Sequence, residues 1–239
     1  MATDPHDKAD AFTSPVPSRG TQLVEVCVFL FLILPSMVLS LFVVQQGGLS
    51  FVLTAFATIL RDLALVALIL FFLWRNGEPI RAIGWVARNV WMEIGVGVIF
   101  FVVVFIGAGL IESALRAAGL SGPSTPLPSF LAAKGYWEFV LAFVLVVIVA
   151  ISEETIFRGY LILRFVGMTR SLAIAILLSA VVFALGHGYE GTAGLATIFL
   201  VGVSFALVYV WRKSLVAPIV MHFLLDFISI VLAPLLTGT

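Results

Sequence analysis

The sequence predicts an all-α protein, a polytopic transmembrane helical bundle with about seven spans. Hydrophobic residues make up 62% of the chain and charged residues 11%, and the mean hydropathy is +1.20. An ordinary soluble domain has about 25% charged residues. The apolar residues fall in long uncharged runs, which favour helices over the alternating strands of a β-barrel. We therefore expect an integral membrane protein that lies in the lipid bilayer.

A helix needs about 20 apolar residues to cross the hydrocarbon core of a membrane. Seven segments approach or exceed this length: 23–44, 51–74, 90–112, 137–163, 171–187, 193–211 and 215–236. The first is longer than a signal-peptide core of about 7–15 residues, so we expect it to be retained as a span. The chain then divides into a polar, disordered cytoplasmic tail (1–20), N-terminal spans (21–112) and a transmembrane core (130–236) that carries the candidate site.

The distribution of basic residues predicts the orientation, because lysine and arginine favour cytoplasmic connections. Alternate connections hold most of them: Lys8 and Arg19, then Arg75, Arg81 and Arg88, then Arg164 and Arg170, then Arg212 and Lys213. The opposite side holds Arg116 and Lys134. We expect a multi-pass protein of a prokaryotic plasma membrane with its N-terminus in the cytoplasm and its C-terminus outside.

Ionisable residues inside the spans are the candidates for function. The chain has 13 basic and 13 acidic residues, so its formal net charge of zero offers no basic surface for nucleic acid. An ionisable group within a span costs about 2.5–3.5 kcal/mol even on lenient scales, and such groups commonly mark functional sites. Arg61 and Asp62 of the second span are neighbours that point about 100° apart and need not pair with each other. We expect these two to serve packing or hydrogen bonding.

The segment EETIFRG places two acids and an arginine in the fourth span. Glu154 and Arg158 are four residues apart, so they share one helix face and can pair. Glu153 points about 100° away from Glu154 and has no local partner. Burial of an unpaired carboxylate suits it to act as a general base.

Two further polar pairs follow in the fifth and seventh spans. FALGH places Phe183 four residues before His187, and HFLLD places His222 four residues before Asp226. Counted from the basic span ends at 1.5 Å per residue, Glu153 lies roughly 16 Å deep, His222 roughly 13 Å and His187 roughly 25 Å. We expect the three to approach one level, and His187 fits this expectation least well.

These three motifs together resemble the CPBP family. That family includes the CAAX prenyl endopeptidases similar to the Ras-converting enzyme, and bacterial Abi and bacteriocin-processing relatives. The resemblance covers about residues 130–235 and implies a helical intramembrane endopeptidase that acts on a peptide or protein substrate at the membrane. It implies that Glu153 and His187 activate a water, with Glu154 and Arg158 as support, and that His222 and the residue four positions later stabilise the oxyanion.

Position 226 departs from the family pattern, because the prenyl endopeptidases usually carry asparagine there. An ionised aspartate cannot donate a hydrogen bond to an oxyanion. Asp226 must therefore be protonated, orient His222, or serve another role.

The sequence leaves two further alternatives open. We expect no cofactor, although one glutamate and two histidines are a feasible zinc set and zinc remains the alternative. The other class of function is a catalytically silent membrane scaffold or a small transporter that uses the same polar residues for packing or proton coupling.

Overall fold

Helices account for the regular structure of the chain. The computed structural model describes residues 17–46, 50–86, 89–122 and 131–237, and within these ranges there is no β-strand. The helices are α1 (Arg19–Gln46), α2 (Phe51–Arg75), α3 (Val90–Ala117), α4 (Gly135–Glu153), α5 (Ile162–Thr169), α6 (Leu172–Leu185), α7 (Gly191–Arg212), α8 (Val216–Asp226) and α9 (Ala233–Thr237). Two π-helices join α4 to α5 (Glu154–Leu161) and α8 to α9 (Phe227–Leu232). The predicted all-α bundle is confirmed.

Five helical segments among the described residues are long and apolar enough to cross a membrane: Phe51–Arg75, Val90–Ala117, Gly135–Thr169, Gly188–Arg212 and Val216–Leu236. The predicted fifth span is present as α6, which is apolar but only 14 residues long. The predicted first span falls within the 28-residue helix α1. The chain is an integral membrane helical bundle.

The N-terminal tail predicted for residues 1–20 falls mostly outside the described residues, which begin at 17. Its last two residues, Arg19 and Gly20, lie in α1. The proline-containing connection at 123–130 and Arg88 are likewise outside the described residues.

The fourth span ends later than predicted. We expected it to end at residue 163 with Arg164 at the membrane surface, but the helix continues to Thr169. The Arg164 side chain is 1% exposed and forms ion pairs with Glu25 and Glu78. An arginine can remain inside a helical bundle when buried carboxylates pair with it, so its charge did not mark the end of the span.

The core lies around the first π-helix. Side chains from α1, α2, α6 and the π-helix form one buried apolar cluster that includes Phe29, Ile69, Phe157, Tyr160 and Phe183. The outward faces of the helices remain apolar and exposed, as expected for surfaces that face lipid.

A short 3₁₀-helix, Ile80–Ile83, fixes the position of the first π-helix. A side chain at Gly159 would place its Cβ 2.7 Å from the carbonyl oxygen of Ile83, so this close backbone approach requires glycine. Trp85 Nε1 donates to Thr155 Oγ1 at 3.1 Å, and Ser179 Oγ of α6 donates to the Phe157 carbonyl at 2.6 Å. The π-helix is thus held from two sides.

Candidate active site

Glu154, at the start of the first π-helix, joins Arg158 to His222. Arg158 Nη1 donates to Glu154 Oε1 at 2.8 Å, and the same oxygen lies 2.8 Å from His222 Nδ1. Glu154 is fully buried and Arg158 is 1% exposed. The predicted pairing of Glu154 with Arg158 is confirmed. The i to i+5 hydrogen bonds of a π-helix make its turn wider than that of an α-helix. Glu154 and Arg158, four residues apart, still lie on one face.

Arg158 is enclosed by aromatic rings. Its guanidinium carbon lies 4.2 Å from the centroid of the Phe183 ring and 5.1 Å from that of Phe205. It also donates to the Gly202 carbonyl at 3.4 Å. Aromatic faces attract a desolvated cation, so the Arg158 charge is stabilised by both a carboxylate and two rings.

His222 stands among three carboxylates. Its Nδ1 contacts Glu154, while its Nε2 lies 3.4 Å from Asp226 Oδ2 and 3.9 Å from Glu153 Oε2. Both ring nitrogens can donate at once only in the imidazolium form. Asp226 therefore contacts the His222 ring, as the spacing of four residues predicts. This contact would hold the ring in position.

Glu153 and Glu154 each have one oxygen without a hydrogen-bond partner among the described residues, but of the two only Glu153 lines the cavity described below. Its side chain is 13% exposed and its buried Oε2 has no hydrogen-bond partner among the described residues. Its neighbour Glu154 is turned into the bundle toward Arg158. As expected, Glu154 is held by a partner, whereas Glu153 is less constrained.

His187 follows α6, immediately before a 3₁₀ turn (Gly188–Glu190). Its Nδ1 lies 3.1 Å from the Phe183 carbonyl oxygen. Because a carbonyl only accepts, this contact requires a proton on Nδ1 and, in the neutral ring, leaves Nε2 as an acceptor. The Phe183 ring packs against both histidines, with centroid distances of 4.9 Å to His187 and 5.9 Å to His222.

A cavity of about 190 Å³ brings these side chains together. Among its lining residues are Glu153, His187, His222 and Asp226. The convergence expected from the sequence is thus present, including His187, for which the depth estimate was poorest. Glu154 and Arg158 lie behind the cavity wall rather than among its lining residues.

The comparison with protein families matches this segment. Residues 135–228 match the family model described as Rce1-like, a type II CAAX prenyl endopeptidase. This segment, which is less than half of the chain, is similar to that family. The resemblance to the CPBP family is confirmed, while the match does not distinguish the bacterial Abi branch. Searches of curated proteins and of solved structures found no match to the chain.

The matched segment contains all six residues singled out from the sequence: Glu153, Glu154, Arg158, His187, His222 and Asp226. It covers α4 to α8, the first π-helix and the first two residues of the second. The helices of residues 17–122 lie outside the match and complete the cavity walls through α1 and α2.

Arg61 and Asp62 of α2 form the kind of hydrogen-bonded contact expected for them, and in addition Arg61 reaches this site. They do pair: Arg61 Nε and Nη2 each lie 2.8 Å from Asp62 Oδ1. Their flexible side chains turn toward each other although their Cα–Cβ directions diverge. Arg61 also lines the cavity that contains Glu153. The sequence indicated the importance of Arg61 and Asp62 only through their charge within a span. No residue spacing in the sequence predicts that α2 packs close to Glu153.

A second polar network lies outside the three sequence motifs and contacts the segment that matches the family model. Glu25 of α1 accepts from Arg75 at 2.6 Å and from Arg164 at 2.9 Å, and Tyr160 lies 3.2 Å away. Arg164 also contacts Glu78 with both terminal nitrogens. This network ties α1 and the end of α2 to α5, directly after the first π-helix.

The zinc alternative can be compared with the positions of the possible ligands. Within the described ranges, no group of three or more His, Cys, Asp or Glu side chains is arranged to hold a metal ion. His222 Nδ1 is occupied by Glu154, and His187 Nδ1 by a carbonyl. In these positions Glu153, His187 and His222 do not form a three-ligand zinc set among the described residues.

Proposed function

We propose that the protein is an intramembrane endopeptidase that hydrolyses a peptide bond near the membrane through a water activated by Glu153 and His187. The observation that carries this proposal is the shared cavity, in which the unpaired Glu153 oxygen, His187 and His222 meet. The similarity of residues 135–228 to the Rce1-like family supports the same class of reaction. The substrate is a peptide or protein segment at the membrane.

The first step is attack by water. Glu153 takes a proton from a water that also donates to His187 Nε2, and the oxygen attacks the carbonyl carbon of the scissile bond. The contact between His187 Nδ1 and the Phe183 carbonyl holds the ring with Nε2 available as an acceptor. Preorganisation of the water by two acceptors lowers the entropic cost of the attack.

The negative charge that develops on the carbonyl oxygen requires a donor. We assign this donor to the Nε2–H of His222, whose Nδ1 is held by Glu154 and whose Nε2 lies close to both Asp226 and Glu153. Such stabilisation is often the largest single catalytic contribution. The proton held by Glu153 then passes to the leaving nitrogen as the carbon–nitrogen bond breaks, giving one carboxylate product and one amine.

The supporting residues act through His222. Arg158 neutralises Glu154, which is buried and would otherwise repel Glu153. The chain from Arg158 through Glu154 to His222 fixes the ring without placing either of the first two in the cavity. We assign Glu154 and Arg158 as positioning residues rather than as groups that touch substrate.

The proposed orientation places the N-terminus in the cytoplasm of a prokaryote and the C-terminus outside. The geometry is consistent with the alternation that this orientation needs. Leu215 N donates to the Gly84 carbonyl at 3.0 Å, so the connections after α2 and α7 lie at one end of the bundle. Ser121 contacts Thr192, so the connection after α3 and the connection before α7 lie at the opposite end of the bundle.

The proposal is tested by cleavage of a reporter peptide panel by purified protein in liposomes. Glu153→Gln preserves shape and removes basicity, so it should keep the parent thermal unfolding midpoint and lower the rate by about 10²–10⁴-fold. His187→Ala and His222→Ala should also lose cleavage. Cleavage by Glu153→Gln at the parent rate excludes the proposed base and favours a scaffold or transporter role for the polar cluster.

A further inference from the structure

The candidate active site opens into two arms. The first, of about 190 Å³, lies between α1, α2 and α4, and we call it the α2 arm. The second, of about 720 Å³, lies between α3, α7 and α8, and we call it the α3 arm. His187, His222 and Asp226 line both arms. An extended peptide with its scissile bond at these residues would place one flank in each arm.

The two arms differ in chemistry. The polar side chains of the α2 arm include those of Thr54 and Thr58, the carboxylates Glu153 and Asp226, and the guanidinium of Arg61. The α3 arm is lined by the carboxylates Glu112, Glu190 and Asp226, and its described lining residues include no lysine or arginine. Carboxylates line both arms, so the difference between them is the cation: an anionic group on a substrate would be attracted to Arg61 in the α2 arm, and the α3 arm offers it no arginine or lysine among the described residues.

Arg61 is held in place with part of its surface open to the cavity. Its side chain is 35% exposed, whereas that of its partner Asp62 is 1% exposed. The Asp62 contacts use Nε and Nη2, and the guanidinium carries five N–H donors in total. Within the described ranges, no hydrogen bond joins the remaining donors to another side chain. Asp62 thus orients the guanidinium and leaves donors for a ligand.

Arg61 is also the one lysine or arginine among the described residues that line the α2 arm. It interacts electrostatically with Glu153, and none of the ion pairs within the described ranges joins the two directly. A carboxylate bound by Arg61 would therefore lie beside the proposed catalytic base. Arginine binds carboxylates with two parallel hydrogen bonds, which fixes position as well as charge.

We propose that Arg61 is a specificity-determining residue that binds a carboxylate of the peptide substrate in the α2 arm, while the apolar flank of the substrate lies in the α3 arm. This inference rests on the proposed peptidase function. The carboxylate comes either from the C-terminus of the peptide or from an acidic side chain close to the scissile bond. In either case the substrate binds in one direction, with its carboxylate in the α2 arm and its apolar flank in the α3 arm.

Three fluorescent reporter peptides with one common apolar sequence test the inference. The first ends in a free carboxylate, the second in an amide, and the third in an amide after a terminal glutamate. For the parent protein, the amide should show a KM about tenfold or more above that of the free acid at an unchanged kcat. A low KM for the third peptide identifies an acidic side chain as sufficient, whereas a high KM identifies the C-terminus.

The variants locate this preference at Arg61. Arg61→Gln should remove the preference for the free acid, and Arg61→Lys should retain part of it because the charge remains. If Arg61→Gln fails to fold because Asp62 loses its partner, Arg61→Gln/Asp62→Asn removes both charges together. Arg116→Gln is the matched control: this arginine pairs with Glu112 but does not line either arm, so the preference should persist.

Equal KM values for acid and amide in the parent, or a preference that survives the double substitution, would overturn the inference. So would a fall in kcat with equal effect on all peptides, which would assign Arg61 to positioning Glu153. Equilibrium binding of the same peptides, measured by fluorescence anisotropy, distinguishes failure of the carboxylate site from failure of the proposed peptidase function. If the parent cleaves nothing, the peptidase proposal fails, and equal binding of acid and amide then rejects the carboxylate site as well.

Discussion

His222 Nδ1 lies 2.8 Å from Glu154 Oε1, a contact between residues 68 positions apart that joins the first π-helix to α8. The same carboxylate oxygen accepts from Arg158. A buried carboxylate that serves both an arginine and a histidine sets the ring plane of His222 toward the cavity. The second acid of the EE pair thereby has a role in placing the histidine.

The first prediction concerns Arg158. Replacement by alanine leaves Glu154 buried without its cation and opens space between Phe183 and Phe205, so it should lower the free energy of unfolding by about 3–5 kcal/mol. Cleavage should fall with it because His222 loses a fixed partner. Denaturant unfolding and peptide cleavage of the same preparation measure the two effects. Arg170→Ala, which changes an exposed arginine, is the control and should change neither.

A stable and fully active Arg158→Ala protein would show that Glu154 does not need this partner. In that case the contact between Glu154 and His222 alone would account for the position of the ring.

The pair Glu154–Arg158 could be predicted from the sequence because it depends on local spacing. Residues four apart on a helix meet whatever the rest of the fold does. The wider π-helix geometry at Glu154–Leu161 was not predicted, and neither was that at Phe227–Leu232. π-helices are rare and occur often at functional sites, but their hydrogen bonding depends on contacts with neighbouring helices.

The depth of Glu153 was counted from Arg164, but the helix continues past this residue. Counted from Thr169, where the helix ends, Glu153 lies roughly 24 Å along it, close to the estimate for His187. The ion pairs of Arg164 with Glu25 and Glu78 join residues 139 and 86 positions apart. A single sequence contains no periodic signal for contacts between residues so far apart along the chain.

The contribution of α2 to the cavity could not be predicted for the same reason. Arg61 and Asp62 were recognised as charges within a span, but the residue they approach, Glu153, lies on α4. Helix packing decides which face of α2 meets the cavity, and that face is set by apolar contacts such as Ala55 and Ile59 with the α4 side chains Ala142 and Val146.

The second prediction concerns metal. If Glu153 and His187 activate water without an ion, cleavage by purified protein should survive treatment with a strong chelator followed by transfer to metal-free buffer. Elemental analysis of the active sample should find less than one zinc per chain. Loss of activity on chelation, with recovery on addition of zinc, would support the zinc alternative. A known zinc peptidase treated in parallel confirms that the chelator is effective.

The third prediction concerns topology. With the exposed Cys27 replaced by alanine, single cysteines at Ala118 and Lys213 should react with a membrane-impermeant thiol reagent from opposite sides of intact cells or oriented vesicles. The N-in orientation places position 118 outside and position 213 in the cytoplasm. Labelling after membrane disruption controls for accessibility. Reaction of position 118 from the cytoplasmic side alone would reverse the proposed orientation.

The fourth prediction concerns Asp226, whose Oδ2 lies 3.4 Å from His222 Nε2. Asn and Asp both offer a side-chain oxygen that can accept from this nitrogen, so Asp226→Asn should retain cleavage within about tenfold of the parent. Asp226→Leu has similar size and no acceptor, and it should lose about 10²-fold or more because the oxyanion donor is no longer oriented. Both variants should keep the parent unfolding midpoint, because Asp226 is partly exposed at 25%. Equal loss in Asn and Leu variants would mean that the negative charge of Asp226 is required, and full activity in both would remove Asp226 from the positioning of His222.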